Sequence, residues 1–176
     1  MTFLRARLPE TVVWPRFRSG VDEFSCGCDG DVWVVHIAAG AERTAELFHE
    51  LTDEMPAVVS VAIERARDSV AWRGEALSLG DVRESMARLR APMVSVGGFE
   101  LSVYTPDDQL TLTPQLELYV YARSDRWRYL LLRRGLVERD AVADRRWAQS
   151  VDDFVPSAEA DAAVSAAVDR LGLKVG

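Results

Sequence analysis

An Asp-Gly dipeptide at positions 29 and 30 places the strongest single constraint on the fold of this chain. It separates two runs rich in strand-forming residues, 22–28 and 31–37. Asp-Gly accepts the positive φ angles of a tight two-residue turn, so the pattern is typical of a β-hairpin. The sequence therefore predicts a hairpin over residues 22–37, with a type I′ turn at Asp29-Gly30.

Four stretches carry apolar residues at helical spacing, each with a capping or terminating signal beside it. The predicted helices are 41–55, closed by Pro56; a helix from Ser78 or Asp81 to Arg90, ended by Pro92; a helix from Asp140 to Ser150; and a terminal helix over 157–172. Pro92 is expected to stop its helix because proline removes a backbone donor.

The other apolar runs have the length and composition of strands. They are Ala57–Ile63, Val70–Arg73, an edge strand at Thr11–Trp14, and a β-meander from Phe99 to Arg134 whose last two runs are split by Ser124-Asp125. Strands in hairpins with helices between them predict an α+β fold. We expect residues 1–176 to form one domain, with an antiparallel or mixed sheet built from hairpins and a C-terminal meander, and three to four helices packed against it.

Composition limits the class of protein. The chain has 176 residues, 48% of them apolar, which is enough for one core. No run of about 18 uncharged apolar residues occurs, so we expect no membrane span, and two cysteines agree with a reducing compartment such as the cytoplasm. Of the 21 basic residues, all but Lys174 are arginine, a bias that suggests a GC-rich bacterial genome.

Charge is unevenly distributed along the chain. The net charge of −7 argues against general nucleic-acid binding, because phosphate affinity depends on lysine and arginine. Residues 20–56 carry −8, whereas residues 121–146 carry +4. Such asymmetry either steers a charged partner or reflects chance clustering on solvated faces.

Cys26 and Cys28 are two residues apart in the first predicted strand. They share a face with Phe24 and Val35, which indicates buried free thiols, and no second cysteine pair completes a zinc motif. Nucleotide-binding loops, hydrolase elbows and metalloprotease motifs are also missing from the sequence. We therefore expect neither a metal site nor a cofactor.

The candidate acid–base residues are Glu23 and His36. The predicted hairpin register places them opposite each other, and a carboxylate beside an imidazole can orient it for proton transfer. The simpler interpretation is a cross-strand ion pair on a surface.

The last predicted hairpin supplies a candidate partner-binding surface. A turn at Ser124-Asp125 would bring five side chains to one face: Tyr119, Tyr121, Arg123, Arg126 and Arg128. Tyrosine and arginine are typical anchors of protein interfaces, and they can also hold an anion or stack on a base. An ordinary solvated sheet face is the competing interpretation.

Two main hypotheses follow. The first is a non-catalytic bacterial interaction module, of the adaptor, chaperone or immunity type, that binds a protein partner through the Tyr/Arg surface or the acidic segment. The second is a small-molecule-binding domain or enzyme that uses Glu23 and His36. A homodimer is a further expectation, since an exposed hairpin edge can pair across a two-fold axis.

Overall fold

A computed structural model describes residues 22–142 and 157–176. The predicted strand at Thr11–Trp14, residues 143–150 of the predicted third helix, and the segment 151–156 lie outside these residues. Within them the fold is α+β, with a mixed sheet and helices packed against it, as the sequence predicts.

The described residues form nine strands in one sheet. In chain order they are β1 (Glu23–Asp29), β2 (Val32–Ala38), β3 (Val58–Arg65), β4 (Val70–Ser78), β5 (Phe99–Tyr104), β6 (Asp108–Leu112), β7 (Leu118–Ala122), β8 (Val137–Arg139) and β9 (Lys174–Val175). Their spatial order is β8-β1-β2-β7-β6-β5-β3-β4-β9. The β1–β8 pair is parallel and the other pairs are antiparallel.

Four α-helices accompany the sheet in the described part of the chain: α1 (Ala41–Leu51), α2 (Leu79–Ser95), α3 (Arg126–Arg133) and α4 (Ala158–Leu171). A 3-10 turn, Thr52–Glu54, continues α1 toward Pro56. The ends of α4 follow from its capping residues: the Ser157 side chain accepts a hydrogen bond from the Ala160 amide, and Gly172 takes a φ of 62°.

All four helices contribute to one core on one side of the sheet. Alternate strand residues, including Val35, Val61 and Leu110, are at most 1% exposed and meet apolar side chains of the helices. Because side chains alternate along a strand, the residues between them point to the opposite side. The sheet therefore has a helix-packed side and a second, opposite side.

The first hairpin forms, but its predicted register is wrong by two residues. Asp29 pairs with Val32, and the turn consists of Gly30 and Asp31. Gly30 has a φ of 64°, which suits the first central position of a type II′ turn rather than the second position of type I′. Glycine supplies the positive φ alone, so the turn starts one residue later than predicted.

The predicted end of the second helix at Pro92 is also wrong. The helix α2 continues to Ser95 with Pro92 inside it. Proline there removes one intrahelical hydrogen bond, at a cost of about 3 kcal/mol. Pro92 is itself buried and Met93 is only 2% exposed, so packing of this last turn offsets the lost bond.

The meander has three strands, and its predicted fourth strand is the helix α3. Trp127 and Leu131 are both fully buried, whereas Tyr129 between them is 55% exposed. That is helical spacing, which the alternation of apolar residues concealed. Asp125 precedes the helix as its N-cap residue instead of forming a hairpin turn.

Asp108 anchors α3 to the sheet. Its carboxylate accepts hydrogen bonds from Trp127 Nε1 and Arg126 Nη2, each at 2.7 Å. The Arg126 guanidinium also lies 4.8 Å from the centre of the Trp127 ring. The indole N–H of the buried Trp127 therefore has a hydrogen-bond acceptor on the helix-packed side.

A candidate recognition site on the polar face of the sheet

No described helix packs on the second side of the sheet, which we call the polar face. It is formed by alternate residues of the central strands: Val34 and His36 of β2, Ser60, Ala62 and Glu64 of β3, Glu100, Ser102 and Tyr104 of β5, Gln109 and Thr111 of β6, and Tyr119 and Tyr121 of β7. Glu117, just before β7, belongs to the same row as the two tyrosines. Polar and aromatic side chains therefore replace the aliphatic ones found on the other side.

Short side chains at the middle of the polar face are hydrogen-bonded to one another. The Ser102 and Thr111 hydroxyl oxygens are 2.9 Å apart, and Gln109 Nε2 donates to Thr111 Oγ1 at 2.9 Å. Ser102 and Thr111 are buried, at 5% and 6% exposure. This network makes the centre of the face an ordered polar floor.

An aromatic row runs beside that floor. The rings of His36 and Tyr119 stack with centroids 4.4 Å apart and planes 9° apart, and Tyr121 follows at 6.3 Å from Tyr119. His36 Nε2 lies 3.6 Å from Glu117 Oε1. Stacking fixes the rings, so the row presents a preorganised surface.

Two glutamates lie directly opposite each other on this face. Glu64 of β3 is the cross-strand partner of Glu100 of β5. Burial raises the pKa of the Glu100 carboxyl, and the charge of Glu64 raises it further, whereas a hydrogen bond with Ser102 opposes the shift. Like charges facing each other across a sheet are destabilising.

Neither Glu64 nor Glu100 forms an ion pair with any arginine, lysine or histidine of the described residues. Burial also raises the pKa of the Tyr121 hydroxyl, with a second contribution from the Glu100 charge. The pair therefore combines a half-buried carboxylate, Glu100, with an exposed one, Glu64, on the face that carries the aromatic rings.

The sequence did not reveal this glutamate pair. Apolar residues at alternate positions before Glu64 and on both sides of Glu100 place the two glutamates on a polar side, but they are 36 positions apart. Only the order of strands in the sheet makes them neighbours. The alternation of side-chain types in residues 60–64 and 100–104 was the available signal that each glutamate lies on the side of the sheet opposite the core.

The predicted acid–base pair is not formed. Glu23 faces Ala38 and His36 faces Ser25, because of the shifted hairpin register. Glu23 Oε2 instead lies 3.5 Å from Arg139 Nε. His36 has a carboxylate neighbour, but it is Glu117.

Ser25, His36 and Glu117 share one region of the polar face, which raises the question of a nucleophilic serine. Activation would require the Ser25 hydroxyl to donate a hydrogen bond to one imidazole nitrogen, while the other imidazole N–H donates to Glu117. The described side chains show no Ser25–His36 hydrogen bond, and the ring stacks on Tyr119. The contacts that position the His36 ring are therefore the stacked Tyr119 and the Glu117 carboxylate.

The five residues predicted to bind a partner do not share a face. Tyr119 and Tyr121 lie on the polar face, but Arg126 and Arg128 lie on α3 because the fourth strand is a helix. Arg123 Nη1 binds Asp31 Oδ2, Arg126 binds Asp108 and Arg128 binds Glu138. The Tyr/Arg surface is thus divided between two parts of the fold, and binding by its members stays a prediction.

Much of the charge asymmetry in the sequence is internal. Three arginines of the basic segment pair with acids of the acidic segment: Arg123 with Asp31, Arg134 with Glu54, and Arg139 with Glu23. Folding brings both segments to neighbouring strands and helices. The acidic segment is therefore not a free negative surface, in contrast to Glu64 and Glu100.

The prediction of two buried thiols is wrong for Cys28, which is exposed, while Cys26 is half-buried. Burial decreases along β1, and its last three residues, Gly27 to Asp29, are all exposed. Burial raises the pKa of the Cys26 thiol, and the Glu138 charge raises it further. Among the described residues, no group of three or more histidine, cysteine or acidic side chains could hold a metal ion.

Comparison of the sequence with models of known protein families, with curated proteins and with solved structures finds no match. Over residues 22–142 and 157–176, no helix is long and apolar enough to cross a membrane. What the chain does must therefore be argued from its own residues.

Proposed function

We propose that this chain is a non-catalytic interaction module that binds a basic surface of a protein partner through the polar face. The observation that carries the proposal is the Glu64–Glu100 pair, two facing carboxylates that form no ion pair with the described residues, although Arg73 lies on the adjacent strand of the same face. A lysine or arginine from a partner would offset their repulsion. The free protein thus holds unfavourable electrostatic energy that the complex releases.

The neighbouring aromatic row suits the same partner. Tyrosine combines a large rigid surface with a polar hydroxyl, and its ring attracts lysine and arginine side chains. Tyr121 is 36% exposed, and its hydroxyl is close enough to Glu100 for that charge to raise its pKa. A basic side chain can therefore contact a carboxylate and an aromatic ring together.

We further propose that the module acts in the bacterial cytoplasm, as an adaptor, chaperone or immunity-type protein. The arginine bias and the two free thiols support this setting. Self-association through the polar face is disfavoured, since two copies would bring four glutamates together. β8 pairs with Glu23–Ser25 on the outer edge of β1, so only the remainder of that edge, residues 26–29, is left for pairing with a second copy.

Affinity capture from a bacterial host, with three baits, tests this proposal. The baits are the wild-type chain, Glu64→Gln/Glu100→Gln, and a control, Glu42→Gln/Glu159→Gln, at exposed positions of α1 and α4. Both variants remove two negative charges. We expect a protein partner with a basic surface to be retained by wild type and control, and lost from Glu64→Gln/Glu100→Gln and at high salt.

Equal retention by all three baits would place the interface elsewhere. Equal loss from both variants would mean that only net charge matters. Either outcome contradicts the proposed site.

A further inference from the structure

On the helix-packed side, a cavity of about 290 Å³ opens between α1 and α2. Its floor is Leu101 of β5 and Leu112 of β6, and its walls include Phe48 of α1 with Met86 and Met93 of α2. Apolar clefts of about 300–1,000 Å³ with a few polar groups are the usual form of small-molecule sites. This cavity lies at the small end of that range.

The cavity rim carries four ionisable side chains, and only some of them already have hydrogen-bond or ion-pair partners. They are Glu46, His49, Glu50 and Arg90. Glu46 and Glu50 both accept hydrogen bonds from Arg43 Nη1, each at 2.9 Å. Arg90 lies on the opposite side of the rim, in α2, and has no ion pair with the described residues. The acceptors at the rim are thus occupied, whereas the guanidinium of Arg90 is available.

His49 supplies a second donor. Its Nδ1 lies 3.4 Å from Arg83 Nη2. Arginine only donates, so Nδ1 acts as the acceptor and the ring proton belongs to Nε2. Burial lowers the pKa of His49, and the Arg83 charge lowers it further, which keeps the imidazole neutral.

We propose that this cavity binds a small carboxylate with a compact apolar body, held at its head by Arg90 and His49. Arginine pairs well with carboxylates, and the apolar walls exclude water from the ligand's hydrocarbon part. Given about 30 Å³ per water molecule in the liquid, the volume suits about ten non-hydrogen atoms. A medium-chain alkanoate such as octanoate has that size.

The test uses methyl NMR of the full chain labelled at methionine. Met86 and Met93 line the cavity, while Met55 is buried outside it and serves as an internal reference. Octanoate is the probe, with octanol and octylamine as ligands of equal length and different head groups. We expect saturable shifts of the Met86 and Met93 methyl signals with octanoate, and weaker binding of the other two compounds.

The matched variant is Arg90→Gln, which changes an exposed residue and leaves the walls intact. Its octanoate affinity should fall about tenfold, since a charge-assisted hydrogen bond is lost. Absence of shifts up to about 10 mM octanoate, equal shifts of Met55, or unchanged affinity in Arg90→Gln would each overturn the proposal. These outcomes are independent of the polar face, because Glu64 and Glu100 take no part.

Discussion

The two sides of the sheet are built from the same strands, yet they have different chemistry. On the helix-packed side, the charged groups beside α3 are paired: Asp108 binds Trp127 and Arg126, and Glu54 binds Arg134. Among the described residues, the buried hydroxyls of Thr44 and Ser85 form no hydrogen bond, but neither of them carries a charge. On the polar face, Glu64 and Glu100 are left with like-charge repulsion. The first side accounts for folding, and the second carries a charge arrangement that folding alone does not require.

The largest expected effect lies on the helix-packed side. Trp127→Ala should lower the free energy of unfolding by about 3–5 kcal/mol, because it empties a fully buried position. Urea denaturation measures the change. Tyr129→Ala, on the exposed side of the same helix, should change stability by less than about 0.5 kcal/mol. Similar losses in both variants would contradict the packing of α3.

Removal of the buried acceptor should have a smaller effect. Asp108→Ala leaves the Trp127 N–H without its partner, which is expected to lower stability by about 1–3 kcal/mol. The control is Asp107→Ala, because Asp107 is 75% exposed in the same turn. If both variants unfold at the same urea concentration, Asp108 does not anchor α3.

On the polar face, we expect a substitution to raise stability instead of lowering it. Glu100→Gln should stabilise the free protein by roughly 0.2–1 kcal/mol at neutral pH, since it removes a like-charge pair and keeps an oxygen for Ser102. Thermal unfolding measures the gain, with Glu42→Gln as the control. A loss of stability in Glu100→Gln would show that its charge is already balanced.

The pH dependence sharpens this comparison. Because the pKa of Glu100 is raised above its ordinary value of 4.5, the folded protein holds this proton more tightly than the unfolded chain. The destabilising effect of ionisation is absent at low pH and develops as pH rises through the window above 4.5. The advantage of Glu100→Gln should therefore grow with pH and then level off. An advantage independent of pH would contradict the assigned cause.

The smallest effect on stability is expected at Tyr121. Tyr121→Thr keeps a strand-forming residue and should change the free energy of unfolding by less than about 0.5 kcal/mol. Partner affinity, measured by titration calorimetry once the partner is captured, should nevertheless fall about tenfold. A large loss of stability with unchanged affinity would assign Tyr121 to folding.

Local sequence signals predicted most of the helix-packed side. Alternation and helical spacing identified β1, β2, α1 and three strands of the meander, and Ser157 with Gly172 marked α4. They failed where two periods overlapped, as in residues 126–133, and where buried packing outweighed a helix breaker at Pro92. The polar face was less predictable, because its glutamate pair depends on the order of strands in the sheet.

The most direct measurement is site-specific photo-cross-linking in cells that contain the partner. A benzophenone amino acid replaces Tyr121 on the polar face in one chain, and Arg88, an exposed residue of α2, in another. We expect one protein with a basic surface to be cross-linked at position 121 and not at 88, and we expect Glu64→Gln/Glu100→Gln to abolish the product. A partner cross-linked only at 88, or one insensitive to the glutamate changes, would contradict the account.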